Sequence, residues 1–236
     1  MPNKRITLLI LTLALSLLLS GVTALAQGVV NDDDASPLLD MLARVPNTTE
    51  ARADIIYFLD HDAIVEAFPP AEIPPDFVTW DADAGANINW DIYWRVFRNV
   101  SSGLSTYQTA FSQAGDMPAT IGIDIFEIRQ QLAYGQPPTN AAIITGEFDL
   151  DAVREAFAAN DFEQVDNDLE LWCWVEGCDR GTQTDLASVN RANLFGGDLG
   201  RRQPLVIDEN VLFSAAVLPI AENYINTQTG DLPSPA

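Results

Sequence analysis

Lysine and histidine are nearly absent from this chain. Lys4 is its one lysine and His61 its one histidine. Without a lysine beyond residue 4 there is no amine for a Schiff base, no pyridoxal anchor and no phosphate-loop lysine. A single histidine rules out a multi-histidine zinc site within one chain. A Ser-His-Asp triad would have to use His61, and no G-x-S-x-G segment supplies the nucleophile. Cysteine is scarce as well. Cys173 and Cys178, in Trp172-Cys-Trp-Val-Glu-Gly-Cys178, are the whole supply. Their spacing is not C-x-x-C and their flanks are aromatic and acidic, which speaks against a redox pair.

What is present begins with an export signal. Lys4 and Arg5 form a short positive end, and Ile6 to Ala26 then runs 21 residues without a charge. Ala24-Leu25-Ala26 places small residues where a signal peptidase reads, just before Gln27. A positive start, an apolar middle and an A-x-A end are the three parts of a signal peptide. The alternative is a retained anchor, since 21 residues can span roughly 30 Å of hydrocarbon. Thr12, Ser16, Ser20, Gly21 and Thr23 dilute the run and favour cleavage. The expected destination is secreted, periplasmic or cell-surface. In that setting Cys173 and Cys178 are expected to pair as a structural disulfide, with Gly177 letting the chain turn back.

The remaining chain is strongly acidic. Beyond residue 26, ten arginines face 34 acids. Such a surface repels nucleic-acid phosphates and anionic lipid heads. Membrane contact is therefore expected only through an uncleaved signal sequence. An apolar fraction of 47% is enough to build a core, so global disorder is not expected.

Residues 27–36 read as a flexible acidic lead and 37–236 as an α+β domain. Ser36-Pro37 opens a short helix with Leu38, Leu39, Met41 and Leu42 on its apolar side. Asp54–Asp60 reads as a strand and Asp62–Phe68 as a helix. In Asn89–Val100, Trp90, Tyr93, Trp94 and Phe97 recur at helical spacing. Thr120–Asp124 reads as a strand and Ile125–Tyr134 as a helix. Ala141–Phe148 is a strand, and Leu150–Asn160 a helix with Val153, Ala156 and Phe157 inward. Two hairpins follow, Phe162–Val165 with Leu169–Val175 and Leu205–Ile207 with Val211–Ala216, before a helix at Leu218–Thr227. Asp62-Ala-Ile-Val-Glu-Ala-Phe68 and Asp151-Ala-Val-Arg-Glu-Ala-Phe157 share five of seven residues. This points to a strand–helix unit used twice, over 54–68 and 141–175. The order predicts an antiparallel or mixed sheet with helices on one face, with a ferredoxin-like unit as the nearest named arrangement. Such a unit wants another strand after the last helix, so a C-terminal truncation is part of the expectation.

Leu42-Ala-Arg-Val-Pro46, Ile121-Gly-Ile-Asp124 and Gly146-Glu-Phe-Asp149 together resemble stations in a group of uncharacterised exported bacterial envelope proteins. The resemblance spans roughly Leu38 to Thr227. It implies an envelope or secreted protein and carries over no catalytic residue.

Several segments are candidates for chemistry. Asp81, Asp83 and Asn87 space oxygen side chains as a calcium loop does, although Ala86 and Ile92 stand where an EF-hand wants glycine and glutamate. Asp60-His61-Asp62 places carboxylates beside a histidine, either as a tuned base or as a helix cap. Trp80, Trp90 and Trp94 are either a sugar-stacking surface or core. Gly196-Gly-Asp-Leu-Gly200-Arg-Arg202 invites an anion-binding reading, but lacks the strand and helix of a phosphate loop, and reads otherwise as a flexible hairpin. No catalytic set and no cofactor, calcium apart, is called for. The expectation is a non-enzymatic exported binding module whose partner is an envelope protein or a glycan. An acid-dependent hydrolase of polysaccharide and a calcium-stabilised surface or adhesion domain are the alternatives.

Overall fold

The computed structural model describes residues 36–52, 56–69, 71–83, 86–100, 111–136, 138–166 and 169–234. The expected signal sequence and nearly all of the acidic lead lie outside these residues.

Seven strands form one sheet: β1 Tyr57–Asp60, β2 Ile128–Tyr134, β3 Ala141–Gly146, β4 Phe162–Asp166, β5 Glu170–Trp174, β6 Leu205–Asp208 and β7 Val211–Ala215. Their spatial order is β1-β2-β3-β7-β6-β5-β4, and every neighbouring pair is antiparallel. Two meanders, β1-β2-β3 and β4-β5-β6-β7, therefore meet where β3 pairs with β7. The α+β class and the antiparallel sheet are as the sequence leads one to expect. The strand–helix units do not combine in the ferredoxin-like way. The strands flanking α7 (Leu150–Ala159) are β3 and β4, and three strands separate them.

Helices cover both faces of the sheet rather than one. Alternate residues of the inner strands point opposite ways, and both sets are apolar. Ile144, Leu212, Ile207 and Trp172 join one core with Ile64, Tyr93, Met117, Val153 and Phe157. These come from α3 (His61–Ala67), α5 (Ile88–Val100), α6 (Met117–Ile121) and α7. Ile143, Phe213, Val206 and Leu171 join a second core with Met41, Ala51, Tyr224 and Ile225. These come from α1 (Pro37–Ala43), α2 (Thr49–Arg52) and α8 (Leu218–Gln228). Phe213 stacks on Tyr224 with ring centroids 4.1 Å apart. Burying each such ring stabilises the fold by about 1.5–3 kcal/mol. A two-sided sheet explains why the central strands β3, β7 and β6 read as nearly continuous apolar runs without a polar alternation.

The segment expected as a helix over Ile125–Tyr134 is a 3₁₀ turn, Ile125–Glu127, followed by β2. Arg, Gln, Leu and Ala favour a helix in isolation, but pairing with β1 on one side and β3 on the other decides the state. The strand expected over Thr120–Asp124 is instead the end of α6. Gly122 closes that helix at φ +77°, where a Cβ would run into the Ala152 carbonyl of α7. The two DAxxEAF segments do lie in helices that follow strands. Asp60 caps α3 through Ala63 N–H, and Asp149 caps α7 through Asp151 and Ala152 N–H. Val153, Ala156 and Phe157 form the buried face of α7.

Candidate functional site

β5 ends at Trp174, and the chain must turn there. Cys173 and Cys178 are bonded, with Cα atoms 4.9 Å apart. The Gly177 N–H donates to the Trp174 carbonyl at 2.8 Å. This tight loop delivers the 3₁₀ turn Cys178–Arg180 back beside the strand end. The Arg180 guanidinium lies 5.6 Å from the Trp174 ring centroid. Its Nη1 donates to Gln183 Oε1 at 2.7 Å and its Nη2 to Glu176 Oε2 at 3.0 Å.

The second side of the site comes from Gly196–Arg202. Its backbone is tightly held rather than a loose hairpin. The Asn190 N–H donates to Gly197 O at 2.8 Å, Gly197 N–H to Asn193 O at 3.1 Å and Arg201 N–H to Gly196 O at 3.0 Å. Gly200 sits at φ +64°, and a Cβ there would overlap the Asp185 carbonyl. That close approach lets Asp185 N–H donate to Leu199 O at 3.2 Å. Arg202 then reaches Trp174 from this segment, 5.7 Å from the ring centroid. Guanidinium over indole is an attractive arrangement worth about 0.5–1 kcal/mol at a partly exposed site.

Asp185 completes the polar lining. Its Oδ2 accepts from Ser188 Oγ at 2.6 Å and its Oδ1 from Ala187 N–H at 3.0 Å. The Ser188 hydroxyl first, then the Ala187 amide and the Arg202 charge, hold this carboxyl below its ordinary range, so it stays ionised. Trp174, Arg180, Gln183, Asp185, Ser188, Gly200 and Arg202 line a cleft of about 90 Å³. The surrounding sequence reverses the charge of the chain. From Arg180 to Arg202 there are four arginines against Asp185 and Asp198. Glu176, just before this stretch, already pairs with Arg180, so Arg202 is the cation of the cleft left to face a small anion.

The anion reading of Gly196–Arg202 thus acquires a geometry, though not that of a phosphate loop. The segment holds only a 3₁₀ turn, Gly197–Leu199, and leads to β6. Sequence reasoning missed Trp174, Arg180 and Asp185. Two signals were there: the charge reversal, and a tryptophan fixed in place between paired cysteines.

His61 is fully buried at the start of α3. Gln131 Nε2 lies 2.8 Å from His61 Nε2, and the Tyr93 hydroxyl lies 3.1 Å from His61 Nδ1. Burial, with the Arg129 charge second, lowers the His61 pKa to about 3. The ring is neutral and walled in, which suits packing rather than proton transfer with a solvent-borne substrate. Asp60 serves the helix cap and Asp62 faces Arg129 at 3.9 Å.

Asp124 and Glu127 are carboxyls raised above their usual range, chiefly by burial. They form a capping box. Asp124 accepts from the N–H of Phe126 and of Phe77, both at 2.9 Å, while Glu127 accepts from Asp124 N–H at 2.8 Å. Trp80 and Trp94 pack into an aromatic cluster with Phe77, Phe111 and Phe126, and Trp90 is buried. Trp80 and Trp94 are partly buried against the core, which suits packing rather than a stacking platform. Asp81 and Asp83 are exposed on α4 (Phe77–Asp83), two positions apart and hence on diverging sides of the helix. The Asn87 side-chain oxygen accepts from Asn89 N–H at 3.1 Å at the start of α5. Ala84 and Gly85 lie outside the described residues. Among the described residues no three His, Cys, Asp or Glu side chains converge as a metal site would need, and no helix is long and apolar enough to cross a membrane.

Comparison of the chain with protein-family models, with curated proteins and with solved structures yields no match.

Proposed function

We propose that this chain is an exported, non-enzymatic binding module of the cell envelope, and that it engages its partner through the Trp174 cleft. The observation that carries this reading is the convergence of Arg180 and Arg202 on Trp174, 5.6 and 5.7 Å from one ring. In a chain with so large an acidic excess, two cations gathered at one cleft favour recognition of an anionic group. Export is supported by the leader-like N-terminus and by the Cys173–Cys178 bond, which suits a non-reducing compartment.

The resemblance to exported bacterial envelope proteins belongs to the same reading. Its three stations sit where elements lock together. Arg44 pairs with Asp208 at 3.1 Å, Gly122 and Asp124 join α6 to the next turn, and Asp149 caps α7. Relatives sharing them would share a scaffold and differ in loops such as 177–202.

Retention on immobilised polysaccharides, anionic and neutral, tests the proposal when paired with an assay for new reducing ends. The expected result is retention on an anionic polymer, lost in the double variant Arg180→Gln/Arg202→Gln, with no reducing ends released. Cleavage of a polymer, or equal retention of the double variant, would contradict it.

A further inference from the structure

We propose that the Trp174 cleft recognises a single carboxylate with a hydroxyl beside it, the edge that a uronate sugar presents. This rests on reading the cleft as the recognition site, and adds the chemistry of the ligand.

Arg202 is the first ground. Arg44, Arg95, Arg129, Arg154 and Arg180 each pair with a carboxylate. Arg202 makes no ion pair and donates no hydrogen bond among the described residues. Trp174 holds it by stacking, and half-burial restrains it. Its planar fork of N–H donors is left for a ligand, and that fork matches a carboxylate in bidentate fashion.

The charge of the lining is the second ground. Arg180 is matched by Glu176 at 3.0 Å, which leaves Arg202 and Asp185 as the charges a ligand meets. A carboxylate on Arg202 brings one negative charge beside Asp185, whereas a phosphate dianion would bring two. Asp185 spends one lone pair on Ser188 and one on Ala187. A carboxylate has about four such sites, so it can still accept from a ligand hydroxyl. Size is the third ground. About 90 Å³ is well below the roughly 300–1,000 Å³ of sites that enclose a whole small molecule. The cleft admits one edge of a sugar, free or within a chain.

Isothermal titration of the purified protein with glucuronate, a short oligouronate, glucose, acetate, inorganic phosphate and a short peptide acid tests this. Glucuronate is expected to bind, with glucose, acetate and phosphate each about tenfold weaker or more. Arg202→Gln should weaken glucuronate about tenfold, and Asp185→Asn should narrow the gap between glucuronate and phosphate. An oligouronate that binds better than the monomer assigns the source to polymer; equal binding assigns it to the free sugar, and both sustain the proposal. Phosphate or the peptide acid binding tightest, yet still dependent on Arg202, overturns the uronate class and leaves the cleft as the recognition site. If nothing binds and the double arginine variant keeps its polymer retention, both readings fall.

Discussion

The Tyr93 hydroxyl lies 3.1 Å from Nδ1 of His61, and both side chains are fully buried. This contact ties α5 to the first residue of α3, and Gln131 ties the same ring to β2. It also makes stability depend on pH in a defined direction. In the unfolded chain a histidine titrates near 6.5, whereas His61 in the fold is lowered to about 3. Between those values the unfolded state binds the extra proton, so His61 contributes stability above pH 6.5 that is lost as pH falls toward 3. The loss between pH 6.5 and 4.5 is about 2–3 kcal/mol. Asp62, Asp124 and Glu127 are raised chiefly by burial and act in the opposite sense, gaining stability as they protonate. His61→Gln isolates the histidine. Urea denaturation should find the variant less stable at pH 7, with a smaller loss than wild type on going to pH 4.5. An identical pH slope in both proteins would contradict this.

Gly200 should be intolerant of any side chain. Its φ of +64° already disfavours an L residue, and a Cβ would strike the Asp185 carbonyl. Gly200→Ala is expected to cost about 1–3 kcal/mol and to displace Asp185 from the cleft. A thermal melt and a binding titration measure the two effects. Gly230→Ala is the control, since it shares a positive φ with open space around it.

Reduction of the Cys173–Cys178 bond should lower stability by about 2 kcal/mol, as expected for a short closed loop. It should also release the turn that carries Arg180, so that ligand affinity falls with reductant. A melt and a titration with and without dithiothreitol check this. Unchanged affinity would show that Arg180 is positioned by Glu176 and Gln183 alone.

Millimolar calcium should leave the melting temperature unchanged. Asp81 and Asp83 diverge on a helix, and the Asn87 oxygen is engaged at the start of α5. Selective binding to the folded state would raise the transition, so an upward shift would restore the calcium-stabilised reading.

Much of the fold was legible because its elements obey local rules. The β6–β7 hairpin turns at Asp208-Glu209-Asn210, α7 carries a cap and an inward face of Val153, Ala156 and Phe157, and α8 follows β7 at Leu218. β2 was not legible, because Arg129, Gln130 and Gln131 read as helix formers until neighbours on both sides claim the backbone. Gln131 looks like surface in sequence and is a core partner of His61 in space. The second face of the sheet was hidden for a similar reason: adjacent Ile143 and Ile144 read as one apolar run, yet they serve opposite cores. The candidate site was the least legible part. Trp174, Arg180 and Arg202 meet only because one disulfide and one close glycine approach fold two loops onto a strand end, and no spacing rule encodes that.

The most direct test is the ¹H–¹⁵N spectrum of the five tryptophan indoles during a glucuronate titration. Trp174 is expected to shift saturably while Trp80, Trp90 and Trp94 stay in place, and the shift should vanish in Arg202→Gln. Movement of Trp80 or Trp94 without Trp174, or no movement at all, would contradict the assignment of the cleft.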